Sequence, residues 1–146
     1  MNDWLVALLS NTEVIMALRL LLAAILGAAI GFQRERAHRP AGLRTHILIS
    51  AGAALFTLIS TYAFPTADPS RIAAGVVTGI GFLGAGTILH RTRVVEGLTT
   101  AASIWAVAAI GMAAGSGLYI LSVVATVIVF IVLLLPHPGE PHPPAK

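Results

Sequence analysis

Apolar residues in this chain fall into five long runs that short polar segments separate. The runs cover residues 14–32, 47–64, 72–89, 98–114 and 118–135. A helix of about 18 residues extends roughly 27 Å, close to the ~30 Å hydrocarbon core of a bilayer. β-branched residues in the last run would favour a strand in a soluble protein, but an unbroken apolar run of this length indicates a helix. The pattern therefore predicts an all-α fold, a polytopic membrane helix bundle with about five transmembrane helices.

The third run, residues 72–89, is rich in glycine, and we expect it to be the centre of the bundle. Its glycines are Gly75, Gly79, Gly81, Gly84 and Gly86. In lipid, small residues let two helix backbones approach closely, and this packing holds helices together. The glycines lie on two sides of a helix, which predicts a neighbour on each side.

A second small-residue stripe lies in the first run. Ala23, Gly27 and Gly31 recur every four residues, so they share one helix face. We expect this face to pack against the third helix.

Composition supports a membrane protein. The 146 residues are 57% hydrophobic and only 10% charged, whereas soluble domains carry about 25% charged residues. The absence of cysteine excludes disulfides and thiolate metal sites. The net charge of +3 comes mainly from basic residues in short loops. The expected partner is therefore the lipid bilayer and not a nucleic acid.

Basic residues mark one side of the predicted bundle. The connector between the first two runs holds four arginines: Arg34, Arg36, Arg39 and Arg44. The opposite side holds only Arg71 outside the runs. The positive-inside rule then places the N-terminus outside and the C-terminus in the cytoplasm. Residues 1–135 are predicted to form the membrane domain, and the proline-rich residues 136–146 a disordered cytoplasmic tail.

Arg19 is the one charge within the first apolar run, less than two turns from its start. It could extend to the nearer lipid headgroups, as long basic side chains do. Alternatively it forms an ion pair inside the bundle, since charges within a membrane are rare and are usually functional. The sequence leaves both alternatives open.

Three sequence blocks carry a family resemblance. They are Arg19-Leu20 followed by GAAIGFQRERAHRPAGLRTH, then RIAAGVVTGIGFLGAGTIL, then GLTTAASIWAVAAIGMAAG. In this order they resemble the MgtC/SapB family of bacterial inner-membrane proteins. The resemblance implies a multi-span domain in the inner membrane. It also implies a regulatory role in virulence and in adaptation to low Mg²⁺, acid or host stress, exerted through other membrane proteins.

The chain departs from the family pattern in three respects. Gln33 stands where the family usually has an acidic residue, and Gly75 where a glutamine is common. Many members carry a soluble C-terminal domain, which we expect to be lacking here because only residues 136–146 follow the last run.

The matched blocks nominate a polar network on the cytoplasmic rim. Its members are Arg34, Glu35, Arg44, Thr45, His46, Glu96, Thr99 and Thr100. The hypothesis is that Arg44 or Arg34 pairs with Glu35 or Glu96, and that the threonine hydroxyls satisfy a helix N-terminus. Such a network would join the first, second and fourth helices. The alternative is that these charges are solvated or contact lipid headgroups.

Three classes of function are considered. A regulatory protein that binds another membrane protein is preferred, and self-association through the small residues near Gly111 and Gly115 is plausible. The alternative is a transporter or channel for Mg²⁺ or protons. An enzyme is not expected, because the only catalytic or cofactor motif is a GxGxxG match at Gly79, Gly81 and Gly84 within a continuous apolar run. No cofactor and no bound metal are predicted.

Overall fold

The computed structural model describes residues 11–64, 66, 68–91 and 94–135. Within these ranges it contains five helices, which are α1 Thr12–Arg36, α2 Leu43–Tyr62, α3 Ser70–Ala85, α4 Leu98–Gly115 and α5 Tyr119–Leu134. A short antiparallel hairpin, β1 Leu89–Arg91 with β2 Val94–Glu96, lies between α3 and α4. The predicted helical bundle is confirmed. The predicted disordered tail, residues 136–146, lies outside the described residues.

Three of the five described helices have the length and composition of membrane spans. Helices α1, α2 and α4 are each long and apolar enough to cross a bilayer. Helices α3 and α5 are also apolar but have 16 residues each. Exposed side chains on α5 are almost all leucine, isoleucine or valine, which is a surface that lipid and not water would cover. The chain is therefore a membrane-embedded helical bundle.

The two ends of the bundle differ in chemistry. The α1–α2 connector (residues 37–42), the hairpin and the C-terminus of α5 lie at one end, where Gln33 of α1 contacts the Leu133 carbonyl of α5. We call it the arginine end. At the opposite end, Tyr62 of α2 and Tyr119 of α5 meet Arg19 of α1. We call this the tyrosine end.

Helix α2 packs between α1 and α4, and α4 in turn contacts each of the other four described helices. A Cβ added to Gly27 of α1 would lie 2.7 Å from the His46 carbonyl oxygen, and one added to Gly31 would lie 2.8 Å from the Leu43 Cα. On the other side of α2, a Cβ on Gly115 of α4 would lie 2.8 Å from the Ala54 carbonyl oxygen. Backbones this close require glycine.

The position of α3 contradicts the prediction that it is the central helix. Added Cβ atoms at Gly75, Gly79 and Gly81 would meet nothing within 4 Å. Gly84 alone packs on a neighbour, 3.6 Å from the Ala101 carbonyl oxygen of α4, and Gly86 lies beyond the helix end. Helix α3 contacts α4 and, less extensively, α2, but Gly75, Gly79 and Gly81 do not mediate these contacts among the described residues. Lipid and protein interior are both apolar, so glycine content alone did not reveal which helix is enclosed.

The stripe on α1 was predicted to pack, and it does, but against α2 and not against α3. Gly27 and Gly31 face the backbone of α2. Ala23 continues this face, and its carbonyl oxygen accepts a hydrogen bond from Ser50 of α2 at 2.7 Å. The partner was predicted wrongly because a small-residue stripe identifies a packing face without identifying the helix that meets it.

The helix boundaries differ from the ends of the apolar runs where strand pairing or a glycine changes the path of the backbone. Helix α3 ends at Ala85 and not at residue 89, because Leu89–Arg91 turns back to pair with Val94–Glu96. Gly97 has φ 90°, and a Cβ there would collide with the Thr87 carbonyl oxygen. Glycine therefore permits the hairpin to lead directly into α4.

Candidate functional site

Arg34 is buried at the arginine end, with only 3% of its surface exposed. It lies in the last turn of α1 and reaches the first turn of α4. Its Nη2 donates to the Thr100 Oγ1 at 2.6 Å. A charged donor makes a stronger hydrogen bond than a neutral one, so this contact joins α1 to α4 firmly.

His46 continues the same cluster from α2, where it is fully buried. Its Nδ1 lies 2.9 Å from the Gly42 carbonyl oxygen and its Nε2 lies 3.2 Å from the Ser103 Oγ. A carbonyl only accepts, which assigns a proton to Nδ1. The Ser103 hydroxyl donates to the Thr100 carbonyl oxygen at 2.8 Å. Arg34, His46, Thr100 and Ser103, which we call the arginine-end cluster, therefore connect α1, α2 and α4.

Glu35 has a different role from the predicted one. Its Oε2 accepts a hydrogen bond from the Leu43 backbone N–H at 2.8 Å. Leu43 is the first residue of α2, whose N-cap residue, Gly42, offers no side-chain hydrogen bond. The carboxylate thus satisfies an orphan donor and lies favourably at the positive end of the helix dipole.

The predicted rim network is therefore only partly assembled. The structure brings Arg34, His46 and Thr100 together, whereas Arg44, Glu96 and Thr99 are exposed and Thr45 is half-buried outside the cluster. The contacts described for Glu35 and Arg34 are with the Leu43 backbone N–H and the Thr100 hydroxyl, so the pairing of Glu35 or Glu96 with an arginine stays a prediction.

Arg19 joins three elements at the tyrosine end. Its Nε donates to the Tyr119 hydroxyl at 3.0 Å, and its Nη1 donates to the Tyr62 hydroxyl at 3.3 Å and to the Gly115 carbonyl oxygen at 3.2 Å. Its guanidinium carbon also lies 5.8 Å from the centroid of the Tyr119 ring. Arg19 thus turns into the bundle, where its described partners are neutral, so neither of the two alternatives left open by the sequence, headgroup contact or an internal ion pair, describes its contacts. These four groups are the tyrosine-end cluster.

Ser50 and the Arg19 partners were missed by the sequence analysis. Ser50 is fully buried and bonds the backbone of α1. It lies one turn after His46 on α2, and Ser103 lies one turn after Thr100 on α4. The available signal was the spacing of these polar residues, one helical turn apart within apolar runs, which indicates that they share a helix face inside the bundle.

The described residues contain no group of three His, Cys, Asp or Glu side chains that could hold a metal ion. The buried polar residues of the described chain are arginine, histidine, serine and threonine, with no carboxylate among them. Mg²⁺ sites use oxygen ligands, usually including one or two carboxylates. The buried polar side chains therefore join the helices to one another.

Comparison with known proteins gives a consistent family assignment. The model of the family described as "MgtC family" matches residues 20–140. The protein of Escherichia coli (strain K12) called "Putative magnesium transporter YhiD" is 52% identical, over 82% of this chain and 60% of its own. "Protein MgtC" of Brucella abortus (strain 2308) is 47% identical, over 80% of this chain and 49% of its own.

An uncharacterized protein of Haemophilus influenzae is 41% identical, over 90% of this chain and 59% of its own. The chain thus spans about half to three-fifths of the length of these relatives. No solved structure matches. The family model covers most of the chain, including both polar clusters except Arg19, and this membrane-embedded helical bundle belongs to the MgtC family.

Proposed function

We propose that this chain is a regulatory protein of the bacterial cytoplasmic membrane that acts by binding another membrane protein during adaptation to low Mg²⁺, acid or host stress. The observation that carries the proposal is that the buried polar side chains form hydrogen bonds between helices. Arg34, His46 and Ser50 are all engaged in hydrogen bonds between helices. The described interior thus supplies contacts that fix the bundle and no series of carboxylates along which a cation would move.

The surface proposed for the partner is the open side of α3. Gly75 and Gly79 have no neighbour within 4 Å of an added Cβ, and they are spaced as in the small-xxx-small pattern that brings membrane helices together. Beside them lies an apolar groove of about 180 Å³ between α3 and α4, which Trp105 lines. A partner helix would find close backbone access there.

The proposed orientation places the arginine end in the cytoplasm and the tyrosine end outside. Arg36 and Arg44 are exposed at the arginine end, and excess Arg and Lys mark cytoplasmic loops. The odd number of described helices then puts the N-terminus outside and the C-terminus inside.

The second candidate function is Mg²⁺ transport. The observation in its favour is the name of the E. coli relative, a putative magnesium transporter that is 52% identical over the shared region. In such a role the metal ligands would have to come from residues outside those described here, or from a second subunit.

One experiment separates the two candidates. The purified chain is reconstituted into liposomes that contain a Mg²⁺-sensitive dye, and the same tagged chain is captured from native membranes. We expect no Mg²⁺ entry above that of empty liposomes, together with a membrane protein that co-purifies. The variant Gly75→Leu/Gly79→Leu should lose that protein, whereas Gly52→Leu, which is open space on α2, should keep it. Rapid Mg²⁺ entry without a co-purifying protein would favour the transporter.

A further inference from the structure

Arg19 carries a charge that nothing in the described chain neutralises. Its hydrogen-bond partners are two phenol hydroxyls and one carbonyl oxygen. The third nitrogen of the guanidinium, Nη2, makes no hydrogen bond with the described residues and lies beside Gly117, which has no side chain to cover it. Charged side chains inside a membrane normally pair with an opposite charge or with backbone carbonyls, and among the described residues Arg19 has one such partner, the Gly115 carbonyl.

An apolar groove opens at the same end of the bundle. It has a volume of about 390 Å³, within the range of ligand pockets, and lies between α1 and α2. Its lining residues are Met16, Ala17, Leu20, Leu55, Leu58, Ile59, Tyr62 and Ala63. Leu55 and Ile59 are each more than one-third exposed, so the groove is open toward the lipid.

Tyr62 connects the groove to the guanidinium group of Arg19. This side chain lines the groove, and its hydroxyl accepts the hydrogen bond from Arg19. From Ala63, at the end of α2, the groove descends to Leu55, about 12 Å deeper at 1.5 Å per residue. The cationic group thus lies at the mouth, and only apolar side chains lie below it.

We propose that this groove binds one phospholipid, with an acyl chain along α1 and α2 and its phosphate at Arg19. The arrangement matches an amphiphile that has an anionic head and an apolar tail, because the charge lies at headgroup level and the apolar surface runs inward. A phosphate oxygen would accept from Nη2 of Arg19, which makes a charge-assisted hydrogen bond. The lipid would then neutralise the charge that Tyr62, Tyr119 and Gly115 leave uncompensated.

Native mass spectrometry of the detergent-purified full chain tests the proposal, with phosphatidylglycerol and diacylglycerol of identical acyl chains as probes. We expect phosphatidylglycerol to bind about tenfold more tightly, or better, because only it carries the phosphate. It should also raise the unfolding temperature, and more so as its concentration increases. Equal binding of the two lipids would overturn the proposal, and so would inorganic phosphate that stabilises the protein as strongly as the phospholipid does.

Two variants, each with a matched control, locate the site. Ala17→Trp fills the groove and should weaken phosphatidylglycerol binding about tenfold, whereas Ala29→Trp, an exposed alanine farther along α1, should not. Arg19→Gln should reduce phosphatidylglycerol to the affinity of diacylglycerol, whereas Arg36→Gln at the arginine end should leave it unchanged. If Arg19→Gln does not fold, the proposal is tested by comparing Ala17→Trp with Ala29→Trp, and by comparing the two lipids on the unchanged chain. A folded Ala17→Trp variant that binds phosphatidylglycerol normally would contradict the site.

Discussion

At the scale of single residues, the closest contacts in the bundle are made by glycines. Gly111 of α4 lies so near the Ser50 carbonyl of α2 that any Cβ would overlap it. Because the obstructing atom belongs to the backbone of a helix, it cannot move as a side-chain tip would. The same residue type on α3 has open space around it. The consequence of a substitution therefore depends on the neighbour and not on the glycine itself.

We predict that Gly111→Ala lowers the free energy of unfolding by about 3 kcal/mol, the upper range for overpacking. Gly79→Ala, the matched control, should not lower it, because the added methyl group meets open space and alanine has the higher helix propensity. Thermal unfolding of the two variants in the same detergent makes the comparison. Equal losses would show that the gap between α2 and α4 is wider than described.

The hydrogen bond from Arg34 to Thr100 gives a second residue-scale prediction. Thr100→Val keeps the shape of the side chain and removes the acceptor, which should cost about 1 kcal/mol, in the range of interhelical hydrogen bonds in membranes. Thr99→Val changes the exposed neighbour in the same turn and should cost nothing measurable. Unfolding of the purified variants measures the difference. A loss with Thr99→Val as large as with Thr100→Val would exclude the specific contact.

The sequence predicted which polar residues matter better than it predicted their partners. Arg34, His46 and Thr100 were all singled out, and all three lie in one cluster. An ion pair was expected because charges attract, yet Glu35 is held by a backbone N–H eight residues further along the chain. Hydrogen-bond partners depend on the distance and angle between elements, which a single sequence does not specify.

At the scale of elements, the start of α2 depends on a residue that belongs to α1. Glu35 caps Leu43, so the carboxylate fixes the tight α1–α2 connector as well as the helix end. Glu35→Ala should lower stability by about 1 kcal/mol, the usual effect of losing a cap. Glu35→Gln should lose less, because its amide oxygen still accepts the hydrogen bond. A Glu35→Ala variant that unfolds at the same temperature as the unchanged chain would mean that the cap contributes nothing.

The same geometry predicts the result of a charge exchange between Glu35 and Arg44. Because Arg44 is exposed and Glu35 bonds the backbone, the double variant Glu35→Arg/Arg44→Glu should change stability by the sum of the two single changes. Unfolding of the double variant and of both single variants measures any coupling between the two positions. A double variant that is clearly more stable than that sum would restore the ion-pair hypothesis.

Apolar run length predicted the existence of all five helices but not their arrangement. Asp68 lies just before α3, and its Oδ1 accepts a hydrogen bond from the Ser70 backbone N–H at 2.9 Å. The end of α3 was misplaced because the pairing of Leu89–Arg91 with Val94–Glu96 depends on a contact between distant residues. The position of α2 between α1 and α4 was not visible, because the glycines that pack against α2 lie on α1 and α4.

At the scale of the whole molecule, the proposed orientation can be tested cleanly because the chain has no cysteine. His38→Cys lies at the arginine end and Thr66→Cys in the α2–α3 turn at the tyrosine end. In intact cells, a membrane-impermeant thiol reagent that reaches the periplasm should label Thr66→Cys, and should label His38→Cys only after the inner membrane is opened. Labelling in the reverse order would invert the orientation.

The enclosed position of α2 also imposes an order on biogenesis. A ribosome releases α1 and α2 first, and these helices can meet at once through Gly27 and Gly31. The opposite side of α2 cannot yet pack against α4, because Gly111 emerges only after α3 and the hairpin have been synthesised. Until then His46 and Ser50 lack part of their enclosure. Helix α3, which lies at the periphery, thus carries the nascent chain back across the membrane, and α4 can then pack against α2 and complete the bundle.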